Sequence, residues 1–117
     1  IKSELLKYGR IQAMPINFLR GASWFNKVVV ADESQNFSFR ELVTMTTRIG
    51  ENTKLFVCGD MMQSDIGSRS GFSDMFNLFN DPVSKEKGIH CFKFNENDIF
   101  RSEILKYIIT KLKTYKK

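Results

Sequence analysis

Asp32 and Glu33 stand side by side directly after Val28-Val29-Val30-Ala31, and Asp60 follows Gly59 after Leu55-Phe56-Val57-Cys58. Each apolar run has the make-up of a buried strand from a parallel sheet, and the carboxylates sit where those strands should end. In an open α/β sheet, that carboxyl edge is where ligands bind. Two acids at one strand end suit a metal-phosphate site: one carboxylate for a hard cation, the other to act on water. The plain alternative is a strand followed by an acidic turn. Asp32-Glu33 alone does not separate the two.

If the two strands are neighbours, Asp32, Glu33, Asp60 and Gln63 share one edge. Three acids crowded together repel unless a cation sits among them, so the arrangement implies Mg²⁺ held with phosphate oxygens. Asp32 is then the metal residue, acting through water, and Glu33 accepts a proton from an attacking water. The neutral amide of Gln63 can orient that water or contact a terminal phosphate without adding repulsion. Arg101, opening the last helix, can neutralise charge on a transferred phosphoryl group. Each residue also has a bland account: Asp60 as a turn acid, Gln63 as solvated, Arg101 as a surface partner of Glu103 or Asp98. The combination is more specific than any member of it.

The elements that must position these residues can be read in order. Ile1 to Tyr8 has a helical pattern stopped by Gly9, and Arg10 to Met14 has the make-up of a short strand ended by Pro15. Lys27 to Asp32 is the first well-marked strand. Ser38-Phe39-Arg40-Glu41 has the S-x-x-E form of a capping box, with Phe37 and Leu42 spaced for a hydrophobic staple. The helix it opens is expected to run through Phe39, Leu42, Val43, Thr46 and Ile49 to a stop at Gly50. Thr53 to Cys58 is the second strand, and Met61 to Ser70 a polar loop. Ser70-Gly71 opens a helix with Phe72, Met75, Phe76 and Phe79 on one face, a core pattern, closed by Asn80-Asp81-Pro82. Val83 to Gly88 reads as a charged connector. Ile89 to Phe94 reads as a third strand, with His90 given no role. The last helix, from about Asp98, presents Ile104, Leu105, Ile108, Leu112 and Tyr115 on one face. The order strand-helix-strand-helix-strand-helix predicts an α/β fold, a parallel sheet flanked by helices.

With 117 residues, 42% hydrophobic and 26% charged, the chain is sized and composed as a single globular domain over residues 1–117. Eleven Phe against one Trp predict a well-filled apolar core. The net charge of +5 favours anionic partners, although such a surplus is also common on ordinary soluble domains. Lysines crowding the end of the last helix complement its dipole; nucleic-acid contact is the second account of them. Cys58 and Cys91 show no C-x-x-C spacing and lie in apolar segments, so buried free thiols in a reducing, cytosolic compartment are expected. No apolar run approaches the ~20 residues of a membrane span, and no leader is expected. The sequence opens on Ile rather than Met, as a piece of a longer protein would. No G-x-x-x-x-G-K-[ST] phosphate loop occurs in it.

Taken together, the motifs resemble the C-terminal part of the PhoH-like ATPase domain, a P-loop NTPase related to superfamily 1 helicase cores. Met14-Pro15-Ile16-Asn17-Phe18-Leu19-Arg20-Gly21 is similar to its Pro-Leu-x-x-x-Arg-Gly segment, and Asp32-Glu33-Ser34-Gln35-Asn36 to its Asp-Glu-Ala-Gln-Asn Walker B motif. Gly59-Asp60-Met61-Met62-Gln63-Ser64-Asp65-Ile66 is similar to its Gly-Asp-x-x-Gln-x-Asp-Leu sensor motif. Ser70-Gly71-Phe72 stands for Ser-Gly-Leu, and Asp98-Ile99-Phe100-Arg101 for Asp-Val-Val-Arg. The departures are Ser34 for Ala, Cys58 for Thr, no Pro after Ile66, and Ser102-Glu103 where His-Pro is common.

The resemblance implies a partial RecA-like core lacking the Walker A segment, which would lie before Ile1. It implies ATP and Mg²⁺ as ligands, Glu33, Gln63 and Arg101 as catalytic residues, and Asp32, Asp60 and Arg20 as nucleotide-binding ones. It further implies a cytoplasmic setting in a bacterium or a phage-infected cell, RNA as a partner, a link to phosphate starvation, and a ring of the full-length protein in which Arg101 faces its own or a neighbour's nucleotide. The chain alone is expected to show negligible ATPase activity. Two other readings stand beside this one. In the first, the chain is a non-catalytic basic module that binds nucleic acid. In the second, weaker for want of further acids, it is a Mg²⁺ nuclease built from Asp32, Glu33 and Asp60.

Overall fold

A computed structural model describes residues 2–9, 11–15, 23–64, 66–98 and 100–115. Its centre is a two-stranded parallel sheet of β1 (Val28–Ala31) and β2 (Lys54–Val57). The register sets Val28 against Lys54, Val29 against Leu55, Val30 against Phe56 and Ala31 against Val57. α2 (Phe39–Thr46) joins the two strands, and α3 (Phe72–Phe79) follows them. Both helices pack on the sheet face that carries Val29, Ala31, Leu55 and Val57, around Trp24, Leu42, Met45, Phe72 and Met75. The fold is therefore a small α/β unit, as the pattern of apolar runs predicts.

Local chemistry explains α2. Ser38 Oγ accepts the Glu41 amide at 3.2 Å, and the Glu41 carboxylate accepts the Ser38 amide at 3.0 Å, which completes the capping box. Phe37, just before the cap, packs against the cluster that holds Leu42, as the staple requires. The helix ends at Thr46, short of the expected Ile49. Ile49 instead forms a parallel bridge with Trp24, whose amide donates to Arg48 O and whose carbonyl accepts from Gly50 N, both at 2.8 Å. That sheet-like pairing takes the backbone groups a further helical turn would need.

Several expectations are corrected. β1 and β2 are not buried on both faces: Val28, Val30 and Phe56 are exposed, because both packed helices cover the same side. The core is small rather than Phe-rich, with Phe72 the one buried phenylalanine among the described residues. Residues 11–15 form no strand and are exposed. The segment after α3 is not a mere connector: α4 (Pro82–Glu86) forms there, with Asp81 Oδ1 accepting the Ser84 amide at 2.7 Å and Pro82 in the first turn, where its missing donor does no harm. Ile89 to Phe94 pairs with no strand among the described residues. Its first amide is bonded back to Ser84 O at 2.9 Å, Gly88 before it has a positive φ of 97°, and Cys91 lies against Phe76 O of α3. Cys91 is thus half-buried and Cys58 exposed; both are free thiols, but neither is a core residue.

At the two ends lie α1 (Lys2–Lys7) and α5 (Glu103–Lys113). Ser102, not Asp98, caps α5, and its apolar residues Ile104, Leu105, Ile108 and Leu112 are exposed. The Cα radius of gyration is 16.9 Å, against roughly 13 Å for a closely packed chain of this length; the exposure of α5's apolar residues is in keeping with the excess. No helix among the described residues is long and apolar enough to cross a membrane.

Candidate functional site

The parallel pairing brings the ends of β1 and β2 to one edge. The ladder runs on past the strands, with Cys58 N donating to Ala31 O and Ser34 N to Cys58 O, each at 2.9 Å. Between those rungs the chain passes through Asp32 and Glu33, so both carboxylates leave the sheet at its carboxyl edge. Asp32 is exposed, and one of its oxygens accepts the Glu33 amide at 2.9 Å. Glu33 takes a left-handed backbone conformation, φ 54° and ψ 39°, which few non-glycine residues adopt and which gathers at functional sites.

The next two residues turn inward. Ser34 and Gln35 are the buried polar residues among those described, at 0% and 1% exposure. Ser34 Oγ donates to Ala31 O at 2.8 Å, which satisfies its hydroxyl and closes the turn. Gln35 spans the site. Its Nε2 donates to Glu33 Oε2, and its Oε1 accepts the Asp60 amide at 2.9 Å. Ser64 Oγ donates to the Gln35 carbonyl at 2.9 Å. One buried side chain thus ties the Asp-Glu turn to the Gly59–Ser64 loop.

Gly59 makes the approach possible: a Cβ there would stand 2.9 Å from Gln35 Oε1 and 3.0 Å from Gln35 N. Asp60 caps its own turn, one carboxylate oxygen accepting the Met62 amide at 2.9 Å. Gln63 lies on the same turn, exposed, its amide bonded to Asp60 O at 3.2 Å. Gly71, in the next motif, donates to Phe37 O at 2.9 Å, and a Cβ on it would strike the Phe39 backbone at 2.2 Å. The Asp-Glu, Gly-Asp and Ser-Gly segments are therefore in direct contact.

Asp32, Glu33, Asp60 and Gln63 share an edge, but the three acids do not crowd together. Among the described residues, no three His, Cys, Asp or Glu side chains converge as a metal-binding group. The Glu33 carboxylate is held by Gln35 and that of Asp60 by its own turn, so mutual repulsion is not what calls for a cation. Arg101 is exposed, precedes the Ser102 cap rather than opening the helix, and forms no ion pair with these acids among the described residues. Its expected surface partners are engaged elsewhere: Glu103 pairs with Lys106 at 3.5 Å, and Asp98 accepts the Asn95 amide. Arg20 lies outside the described residues. An open groove of about 710 Å³ runs along β1 to Asp32, on the side away from β2, with Trp24, Gln12 and Met14 among its walls.

Gln35 is the residue that pattern reading passes over. It stands inside the quoted Asp-Glu-Ser-Gln-Asn motif, and an uncharged amide between an acidic pair and a capping box was its one signal.

The family model described as PhoH-like protein matches residues 2–113. Protein PhoH of Escherichia coli (strain K12) is 32% identical over 98 residues, 82% of this chain and 27% of that protein. A PhoH-like protein of Synechocystis is 28% identical over 108 residues, 91% of this chain and 32% of that protein. Protein PhoH2 of Bacillus subtilis is 37% identical over 57 residues, 49% of this chain and 13% of that protein. The chain thus spans about a third or less of the length of these relatives.

Proposed function

The chain belongs to the PhoH-like protein family, and from that membership we propose that it is the Walker B and sensor portion of a Mg²⁺-dependent ATPase. The observation that carries this reading is the register of Ala31 against Val57, which delivers Asp32-Glu33 and Gly59-Asp60 to one sheet edge. That edge is where α/β sheets take phosphorylated ligands.

The donor set fits Mg²⁺. This ion keeps several waters and takes only one or two carboxylates beside substrate phosphates. Asp32 offers one exposed carboxylate, with one oxygen engaged by Glu33 N and the other able to accept from a water of the hydrated ion. Held there by Asp32, Mg²⁺ would neutralise charge on the phosphate oxygens. Glu33 takes a proton from water as its oxygen attacks the terminal phosphorus; the bond to the bridging oxygen breaks, and its electron pair leaves with ADP. Gln63 orients that water or contacts the terminal phosphate, and Asp60 sets the turn that carries it. Arg101, from this chain or a neighbouring copy, offsets charge on the transferred group, and Arg20 contributes to nucleotide binding. The net charge of +5 and the lysines of α5 support RNA as the anionic partner to which ATP hydrolysis is coupled, and a cytoplasmic setting belongs to the same proposal.

Phosphate release from Mg²⁺-ATP by the full-length protein tests the reading. Glu33→Gln is expected to lower kcat by about 10²- to 10⁴-fold while nucleotide binding persists. An unchanged kcat would sink the assignment.

A further inference from the structure

Gln35 is buried, and both ends of its amide are in use. The chemistry fixes which end faces which partner. A backbone N–H can only donate, so the oxygen must meet Asp60 N, and the NH₂ group is left for the Glu33 carboxylate, which can only accept. Gly59 is bare of a side chain where the oxygen sits, and Ser64 holds the Gln35 carbonyl from the same loop. Glu33 itself is in a left-handed backbone conformation, and its carboxylate accepts from Gln35.

We infer that Gln35 is a positioning residue that holds the Glu33 carboxylate in register with the Gly59–Ser64 loop, so that displacement of the loop moves the base. The inference rests on the reading of Glu33 as the base of ATP hydrolysis. The loop carries Gln63, which meets the terminal phosphate in that reading. A shift of Asp60 N pulls on Gln35 Oε1, and the rigid amide passes the shift to Glu33 Oε2. The base is thereby aimed only when the loop is in place.

The test is a mutant cycle on the full-length protein with Mg²⁺-ATP. Gln35→Glu keeps an acceptor for Asp60 N and nearly the same shape, but removes the donor to Glu33. Expected is a fall in kcat of roughly 10- to 100-fold, the scale of a misplaced reacting group, with the affinity for Mg²⁺-ATP within about twofold of wild type. On a Glu33→Gln background the same substitution should cause no further loss, since the two residues act as one unit. A residue that only supports the fold would lower the rate equally on both backgrounds. Gln35→Met, of similar length and uncharged, is read through the same cycle if Gln35→Glu fails to fold. The inference is overturned if kcat stays within twofold of wild type, or if the losses on the two backgrounds match. Those results leave Glu33 standing as the base, provided Glu33→Gln alone abolishes turnover. If Glu33→Gln is without effect, the ATPase reading falls and this inference with it.

Discussion

A Cβ built on Gly59 would lie 2.9 Å from Gln35 Oε1 and 3.2 Å from Phe72 Cζ. That approach joins the Gly59–Ser64 loop to a buried amide on one side and to the core on the other. Gly59→Ala must therefore push apart groups that cannot swing into solvent. The expected loss of stability is about 1–3 kcal/mol, read as a lower midpoint in urea denaturation; under the proposed ATPase reading, displacing Gln35 also lowers hydrolysis by the full-length protein. An unchanged midpoint would show that the loop moves freely.

Ser38→Ala removes the oxygen that accepts the Glu41 amide and breaks the reciprocal cap of α2. The expected cost is about 1 kcal/mol. Ser38→Asp, which keeps an acceptor at the cap, should recover most of it in the same denaturation series.

The core and α5 should respond in opposite ways. Leu42 has no exposed surface, and Leu42→Ala should destabilise by about 2–5 kcal/mol. Ile104 is 65% exposed, and Ile104→Ala should fall within about 0.5 kcal/mol of wild type. Equal effects on the melting temperature would mean that α5 is docked in solution.

Asp81 gives the pH dependence. The backbone and side-chain hydrogen bonds from Ser84 hold its carboxyl below the ordinary aspartate value. A depressed carboxylate contributes stability above the ordinary range near pH ~4, and that contribution is lost as pH falls through the lowered value. Protection of the Ser84 amide from hydrogen exchange should drop on acidification. Asp81→Asn, which keeps an uncharged acceptor, should flatten the dependence.

What could be read beforehand was whatever is decided within a few residues. Val28–Ala31, the Ser38–Glu41 box and the Phe72–Met75 face each carry their own signal, and each forms as expected. Ile89 to Phe94 has the composition of a strand too, but a strand needs a neighbour, and its leading amide is already bonded to Ser84. Cys58 looked buried because its run is apolar, yet burial depends on which face the helices cover. At the site, the acids were legible as types, while the Gln35 bridge links residues 25 positions apart, and the amide's place in the motif does not reveal that partner.

The exposed face of the sheet has a consequence for handling. Among the described residues the sheet has two strands, both of them edges, and Val28, Val30 and Phe56 leave it apolar on its open side. Unpaired backbone beside β-branched side chains is a template for strand addition between molecules. Expressed by itself, the chain should be sparingly soluble and prone to ordered aggregation through Val28–Ala31, and a lysine at Val30 should relieve it.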